Sequence, residues 1–217
     1  MNEPPINLII DGALYLLGAL IIAFGVALVL VTDLGPSTWD TLHHAIRSVT
    51  PPFLTFGAAM VIVTSILSLF IIVVQKSFRY LFMIVPFLLV GAFLDFFELI
   101  VFADFEPEGW LRFALYAYGL FSVPLGASLH ILSRFPAGVY DEFMLAIMKV
   151  LGTSRFALVR VIMEASFVLL AVLITGYFKG TLGALHFGTL LFVVLSGPLL
   201  KFYITLLRRI PVWKSID

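Results

Sequence analysis

The sequence predicts an all-α polytopic membrane protein with about six transmembrane helices. Of its 217 residues, 62% are hydrophobic and 12% are charged, and the mean hydropathy is +1.13. Soluble domains average about 45–50% apolar and about 25% charged residues, so an ordinary folded core cannot bury this much apolar surface. The apolar runs are continuous rather than alternating, which argues against transmembrane strands. We therefore expect the spans to be helices that contact a lipid bilayer.

Six apolar stretches are long enough to cross a hydrocarbon core, which is about 30 Å thick and needs roughly 20 helical residues. They are predicted at 6–31, 53–74, 80–102, 111–132, 156–177 and 182–207. Two further helix-like segments, at 35–49 and 136–151, are too short and too polar to span. We expect these two segments to be interfacial or re-entrant.

The chain also repeats itself. Residues 34–40 recur as 135–141, and Gly25 recurs as Gly126, always 101 residues later (126 minus 25 for the glycine pair). Each copy leads from an apolar segment through a turn of small residues, Gly and Pro into an aromatic–Asp pair that opens a short helix. Small carriers are often built from two similar halves that are interrupted in this way.

The repeat divides the chain into two halves and a connection. We predict a first membrane repeat at 1–103, an acidic hinge loop at 104–110, and a second membrane repeat with a cytoplasmic tail at 111–217. Each half contains three spans and one short helix. Because an odd number of crossings turns the second copy over, the halves are predicted to be inverted-topology repeats.

The distribution of Lys and Arg predicts that both termini are cytoplasmic, because cytoplasmic loops carry the excess of these residues. With this orientation, only Arg47, Arg112 and Lys179 lie on the outer side. Eight basic residues lie on the cytoplasmic side, namely Lys76, Arg79, Arg134, Lys149, Arg155, Arg208, Arg209 and Lys214.

The repeated turns supply the first candidate site residues, which are Ser37, Thr38, Trp39 and Asp40 with their counterparts Tyr140 and Asp141. One interpretation is structural: Ser37 and Asp40 have the spacing of a capping box, and the aromatic rings would anchor at the lipid interface. The other is that both turns line a cavity, because unwound backbone at membrane depth needs protein or water partners. In that case we expect recognition at the first turn and gating mobility at the second.

Charged residues inside the spans supply the remaining candidates. Arg160 and Glu164 lie one helical turn apart and can neutralise each other, either as a structural ion pair or as a pair that binds substrate or protons. Asp95 lies deep in the third span and is a candidate for coupling to a cation or proton.

Several classes of function have no support in the residues. The chain has no Cys, and its four His residues do not form a metal-binding spacing, so we expect no metal and no cofactor. The net charge is zero and there is no basic run for nucleic acid. No nucleophile–base pattern of a membrane enzyme is present. Small residues at helical spacing, such as Ala19, Ala23 and Ala27, indicate helix packing within the fold or in a homodimer.

Two segments carry a resemblance to a known family. Residues 25–46 (GVALVLVTDLGPSTWDTLHHAI) and 180–202 (GTLGALHFGTLLFVVLSGPLLKF) resemble the YczE/YyaS/YitT group of small bacterial integral membrane proteins. The resemblance implies a multi-pass protein of the bacterial inner membrane with five or six spans, and it brings no substrate or catalytic residues. The chain departs from the usual first turn at Pro36, and its second turn has Val139 and Tyr140 in place of Thr38 and Trp39.

From the inverted halves, the interrupted segments and the few intramembrane charges together, we expect a secondary transporter of a small organic solute rather than an enzyme. The aromatic, acidic and basic candidates suit an amphipathic or zwitterionic solute. The alternative is a non-transporting accessory or regulatory protein that acts through a membrane partner.

Overall fold

The computed structural model of the protein describes residues 8–133, 135 and 138–209, and these residues fold into helices without any strand. The eight α-helices are α1 (Leu8–Thr32), α2 (Thr38–Val49), α3 (Phe56–Gln75), α4 (Ile84–Phe96), α5 (Gly109–Leu132), α6 (Val139–Leu151), α7 (Phe156–Lys179) and α8 (Phe187–Leu207). A 3₁₀ turn at Phe78–Met83 precedes α4, and a π-helical turn at Phe97–Val101 follows it. Helices α1–α4 and α5–α8 therefore have the same order of span, short helix, span and span.

Six helical segments of the described chain are long and apolar enough to cross a membrane, as predicted. They are Ile9–Thr32, Phe56–Gln75, Phe78–Val101, Gly109–Leu132, Leu158–Lys179 and Phe187–Leu207. The largest difference from the prediction is the start of α8, five residues later than expected. Gly180 and Gly183 have positive φ angles of 67° and 66°, which form a turn between α7 and α8 and delay the helix.

The two short helices also begin later than predicted, because the residue before each of them has a non-helical backbone. Ser37 is extended and caps α2, and Gly138 is left-handed at φ 80° and precedes α6. The described residues do not include Arg134 and Lys214, positions 136 and 137 of the second repeated turn, or positions 6 and 7 of the first predicted span.

Helices α1 and α5 cross antiparallel at four glycines, which hold the halves together. A Cβ at Gly18 would lie 2.8 Å from the Gly126 carbonyl oxygen, and a Cβ at Gly126 would lie 2.7 Å from that of Gly18. At the other end of the crossing, a Cβ at Gly119 would lie 2.6 Å from the Gly25 carbonyl oxygen. Small residues let membrane helices approach closely, so this crossing tolerates no larger side chain.

The short helices lie between the second spans. Helix α2 packs on α7, and α6 packs on α3, so each short helix contacts the second span of the other half. The third spans pack on the first span of their own half, α4 on α1 and α8 on α5. One hydrophobic cluster, which includes Leu42, Leu67, Met144 and Met163, fills the space among α2, α3, α6 and α7.

Candidate functional site

A cavity of about 300 Å³ brings together eight of the nine residues proposed from the sequence. These residues are Ser37, Thr38, Trp39, Asp40, Tyr140, Asp141, Arg160 and Glu164. Apolar residues such as Ile22, Val26 and Val123 form much of the remaining wall. They lie near the middle of α1 and α5, so the cavity is at mid-height of the spans.

The first turn binds its own carboxylate. The Ser37 hydroxyl donates to Asp40 Oδ2 at 2.6 Å, and Ser37 Oγ accepts from the Asp40 backbone N–H at 3.2 Å. This confirms the predicted capping pair, in which Ser37 satisfies one of the free N–H groups at the start of α2. Asp40 is buried, at 7% exposure.

His43 connects the two turns and was not among the predicted site residues. Its Nδ1 lies 3.3 Å from Asp40 Oδ1, and its Nε2 lies 3.2 Å from the Tyr140 hydroxyl oxygen. Burial, and then the charge of Asp40, raise the pKa of Tyr140 well above its ordinary value, so the hydroxyl stays protonated. We therefore assign Tyr140 as the donor to Nε2 and His43 Nδ1–H as the donor to Asp40.

The rings of Trp39 and Tyr140 stack across the same junction. Their centroids are 4.0 Å apart and their planes are 23° apart. Both residues lie in the first turn of a short helix, so the N-terminal ends of α2 and α6 meet at the cavity. Positive ends of the helix dipoles therefore face this part of the wall, where Asp40 and Asp141, in the first turns of the same two helices, offset them.

The second turn holds its carboxylate differently. Gly138 has no side chain to cap α6, and Asp141 has neither a hydrogen bond nor an ion pair within 4 Å among the described residues. Its side chain is exposed to the cavity. The surrounding protein nevertheless raises the pKa of Asp141 by desolvation, and the positive charge of Arg160 partly offsets this rise.

Arg160 and Glu164 form the ion pair that their spacing indicated. Arg160 Nε donates to Glu164 Oε1 at 3.1 Å, and both residues line the cavity. The guanidinium is more exposed than the carboxylate, with side-chain exposures of 43% and 15%. The pair therefore presents its positive member to the cavity while Glu164 neutralises it.

Asp95 is the one predicted candidate that does not line the cavity. Its Oδ2 accepts from the Thr55 hydroxyl at 2.6 Å, and its Oδ1 accepts from the Gly57 N–H at 2.8 Å. Both partners are at the start of α3, so this carboxylate from the third span caps a neighbouring helix. Glu98, one turn later, pairs with Arg47 of α2.

The other histidines do not extend the site into a metal centre. In α5, His130 borders the cavity and donates from Nε2 to the Tyr15 carbonyl oxygen at 2.9 Å. In the part of the chain that is described, no three His, Asp or Glu side chains are grouped as a metal site requires.

The chain is similar in sequence to proteins of unknown function. The model of a family of unknown function, DUF6198, matches residues 9–205. The uncharacterized membrane protein YczE of Bacillus subtilis (strain 168) is 27% identical over 197 residues, which cover 90% of this chain and 86% of YczE. The uncharacterized protein YyaS of the same organism is 26% identical over 196 residues, which cover 90% of this chain and 92% of YyaS. No solved structure matches the chain.

Proposed function

We propose that this integral membrane protein, which belongs to DUF6198, a family of unknown function, is a secondary transporter that carries a small organic solute through the mid-height cavity. The observation that carries the proposal is the convergence of two remote, repeated turns on one cavity lined by Asp141, Arg160 and Glu164. Ionisable residues at membrane depth are costly, and they are retained where they serve substrate or ion pathways.

The position of the cavity supports transport rather than simple helix packing. Secondary transporters bind their substrates near the bilayer midplane, at the interface of two repeats, where the ends of interrupted helices point at the ligand. Here the first turns of α2 and α6 meet at mid-height, and their rings stack at 4.0 Å. A volume of about 300 Å³ suits a small organic molecule.

The glycine crossing supports inverted repeats. Gly18 and Gly25 of α1 correspond to Gly119 and Gly126 of α5 at the same offset of 101 residues that relates the two turns. Gly18 meets Gly126, and Gly25 meets Gly119, so each contact is the repeat-related copy of the other. An antiparallel pair with this exchange is expected for a two-fold axis in the membrane plane, the symmetry that alternating access uses.

The sequence led us to expect recognition at the first turn and gating mobility at the second. The contacts favour a different assignment. Both oxygens of Asp40 are occupied by Ser37 and His43, whereas Asp141 faces the cavity. We assign ligand contact to Asp141 and the stacked rings, and we assign to Asp40 the task of holding His43 and Tyr140 in place.

The test is uptake and release by proteoliposomes across a panel of small cationic, zwitterionic and anionic solutes. A Ser196→Phe variant fills the cavity from α8, while Gly197→Phe adds the same ring at the next position, where a Cβ meets nothing within 4 Å. We expect transport to be lost in Ser196→Phe and kept in Gly197→Phe. Transport that survives in Ser196→Phe would show that the solute does not use this cavity.

An accessory role is the second candidate, because α8 is the least buried of the six spans and offers its surface to a partner. This candidate is favoured if no solute in the panel is transported and a defined membrane protein co-purifies, with the complex lost when Gly197 is replaced by Phe.

A further inference from the structure

We propose that the cavity binds an organic cation with an apolar or aromatic body, and that this cation and a proton compete for the carboxylate of Asp141. The inference rests on the proposed transport function and specifies its substrate class. It implies exchange: a monovalent cation leaves Asp141 when a proton arrives, so the two species move in opposite directions without net transfer of charge.

The first argument for a cationic ligand is the balance of charge among the residues of the cavity wall. Arg160 is bound to Glu164 at 3.1 Å, so this pair contributes no spare charge. Asp40 is bound on one oxygen by the Ser37 hydroxyl and on the other by His43. Asp141 alone of these carboxylates has no such partner in the described part of the chain. A ligand ammonium can therefore pair with Asp141 directly, whereas a ligand carboxylate must first displace Glu164 from Arg160.

The second argument for a cationic ligand is the set of aromatic residues in the cavity wall. Trp39 and Tyr140 line the same cavity as Asp141, and each ring covers one face of the other, with centroids 4.0 Å apart, so a ligand can contact only the remaining face or edge of each ring. Aromatic faces attract organic cations, and Trp does so most strongly. Further apolar side chains, including Phe87 and Phe192, complete a wall that suits the body of such a ligand.

The surroundings of Asp141 support competition with protons. The other charged or titratable groups that line the same cavity are Arg160 and Glu164 of α7, Asp40 of α2 and His130 of α5. Outside the cavity wall, His43 of α2 contacts Asp40 and Tyr140, and Glu142 follows Asp141 in α6. Desolvation outweighs the effect of Arg160, so the pKa of Asp141 lies above its ordinary value. Protonation thus falls nearer to the working pH than it does for a free carboxylate, and the protonated form cannot bind a cation electrostatically.

The experiment measures binding to purified full-length protein in detergent. The probes are benzyltrimethylammonium, which cannot lose a proton, the zwitterion phenylalanine and the anion phenylacetate. We expect only the ammonium to bind. Because a proton competes with it, the affinity falls about tenfold for each pH unit below the pKa of Asp141 and becomes independent of pH above it. In weakly buffered solution near this pKa, binding releases protons to an indicator.

Two variants decide the assignment. Asp141→Asn should lose at least tenfold in affinity for benzyltrimethylammonium, together with the proton release and the pH dependence. Glu142→Gln removes the neighbouring carboxylate, which is not part of the cavity wall, and should keep all three. Proton-linked binding that persists in Asp141→Asn overturns the proposal.

The probes also separate this proposal from the transport proposal. Tight binding of phenylacetate or phenylalanine that requires Arg160 overturns the cation assignment and leaves transport intact. If panel solutes are transported but benzyltrimethylammonium does not bind, the cation assignment is likewise overturned and the transport proposal is left intact. An unaltered rate in Ser196→Phe instead contradicts transport through the cavity, even where the ammonium binds.

Discussion

At the start of α2, the Ser37 hydroxyl and the His43 ring bind the two carboxylate oxygens of Asp40, and the Asp40 side chain is buried. In the turn before α6, Gly138 stands where Ser37 stands in the first copy, and the Asp141 side chain is exposed to the cavity. The two turns share their spacing, yet only one carboxylate is available to a ligand. Among the described residues, the repeated carboxylate is bound by neighbouring side chains in the first half and has no hydrogen bond in the second.

The glycine crossing differs from the turns in this respect. At the crossing, both copies make the same contact, since Gly18 meets Gly126 as Gly119 meets Gly25. The two copies therefore make the same contact where the halves pack against each other, and they make different contacts where they border the cavity. We infer that the symmetric contacts stabilise the fold and that the asymmetric turns provide the chemistry.

The largest effect is expected at the symmetric crossing. Gly18→Val places side-chain atoms against the Gly126 carbonyl and the His130 ring, so the helices must separate. Overpacking of this kind costs about 3 kcal/mol or more where the backbone itself must move. The control is Gly12→Val in the same helix, where a Cβ meets nothing within 4 Å. Equal yields of folded, monodisperse protein from both variants would contradict the role of the crossing.

The contrast between the turns is tested by paired alanine variants. Asp40→Ala leaves the partly buried Ser37 hydroxyl and the buried His43 ring without their partner and should lower the free energy of unfolding by about 1–3 kcal/mol. Asp141→Ala removes no such contact and should change it by less than about 0.5 kcal/mol. Circular dichroism during titration with a denaturing detergent measures both. Equal losses would show that the carboxylates have the same structural role.

The ion pair in α7 is expected to have a smaller effect. Losing either Arg160 or Glu164 leaves a charge in the cavity wall, whereas Arg160→Leu combined with Glu164→Leu leaves none. The double variant should be more heat-stable in detergent than either single variant, with a coupling energy of about 1 kcal/mol. Losses that simply add would exclude mutual neutralisation of the pair.

The smallest effect on stability, and the sharpest test of inversion, comes from cysteine labelling. The chain contains no Cys, so single substitutions give a clean background. Ser48 and Lys149 are related by the offset of 101 residues, at the ends of α2 and α6. The Lys and Arg distribution predicts that both termini are cytoplasmic, and in that orientation a membrane-impermeant reagent should label Ser48→Cys from outside and Lys149→Cys from inside. Labelling of both from one side contradicts inverted repeats.

The sequence by itself determined the parts of this protein that depend on local geometry or on the thickness of the membrane. The six spans follow from apolar length, because hydrocarbon leaves a helix no partners for its backbone except its own. The Ser37–Asp40 cap and the Arg160–Glu164 pair follow from spacings of three and four residues, which helical geometry brings together in any context.

Only the tertiary structure decided which of the singled-out groups meet. His43 reaches Tyr140 across 97 residues, Asp95 caps α3 across about 40, and the two first turns share one cavity. The later start of α8 likewise depends on a glycine turn that hydropathy does not register. No spacing in one chain encodes these contacts, because they depend on how closely α1 and α5 approach and on which span each short helix packs against. The same packing buries Asp40 and leaves Asp141 open, although the two residues occupy equivalent positions in the repeat.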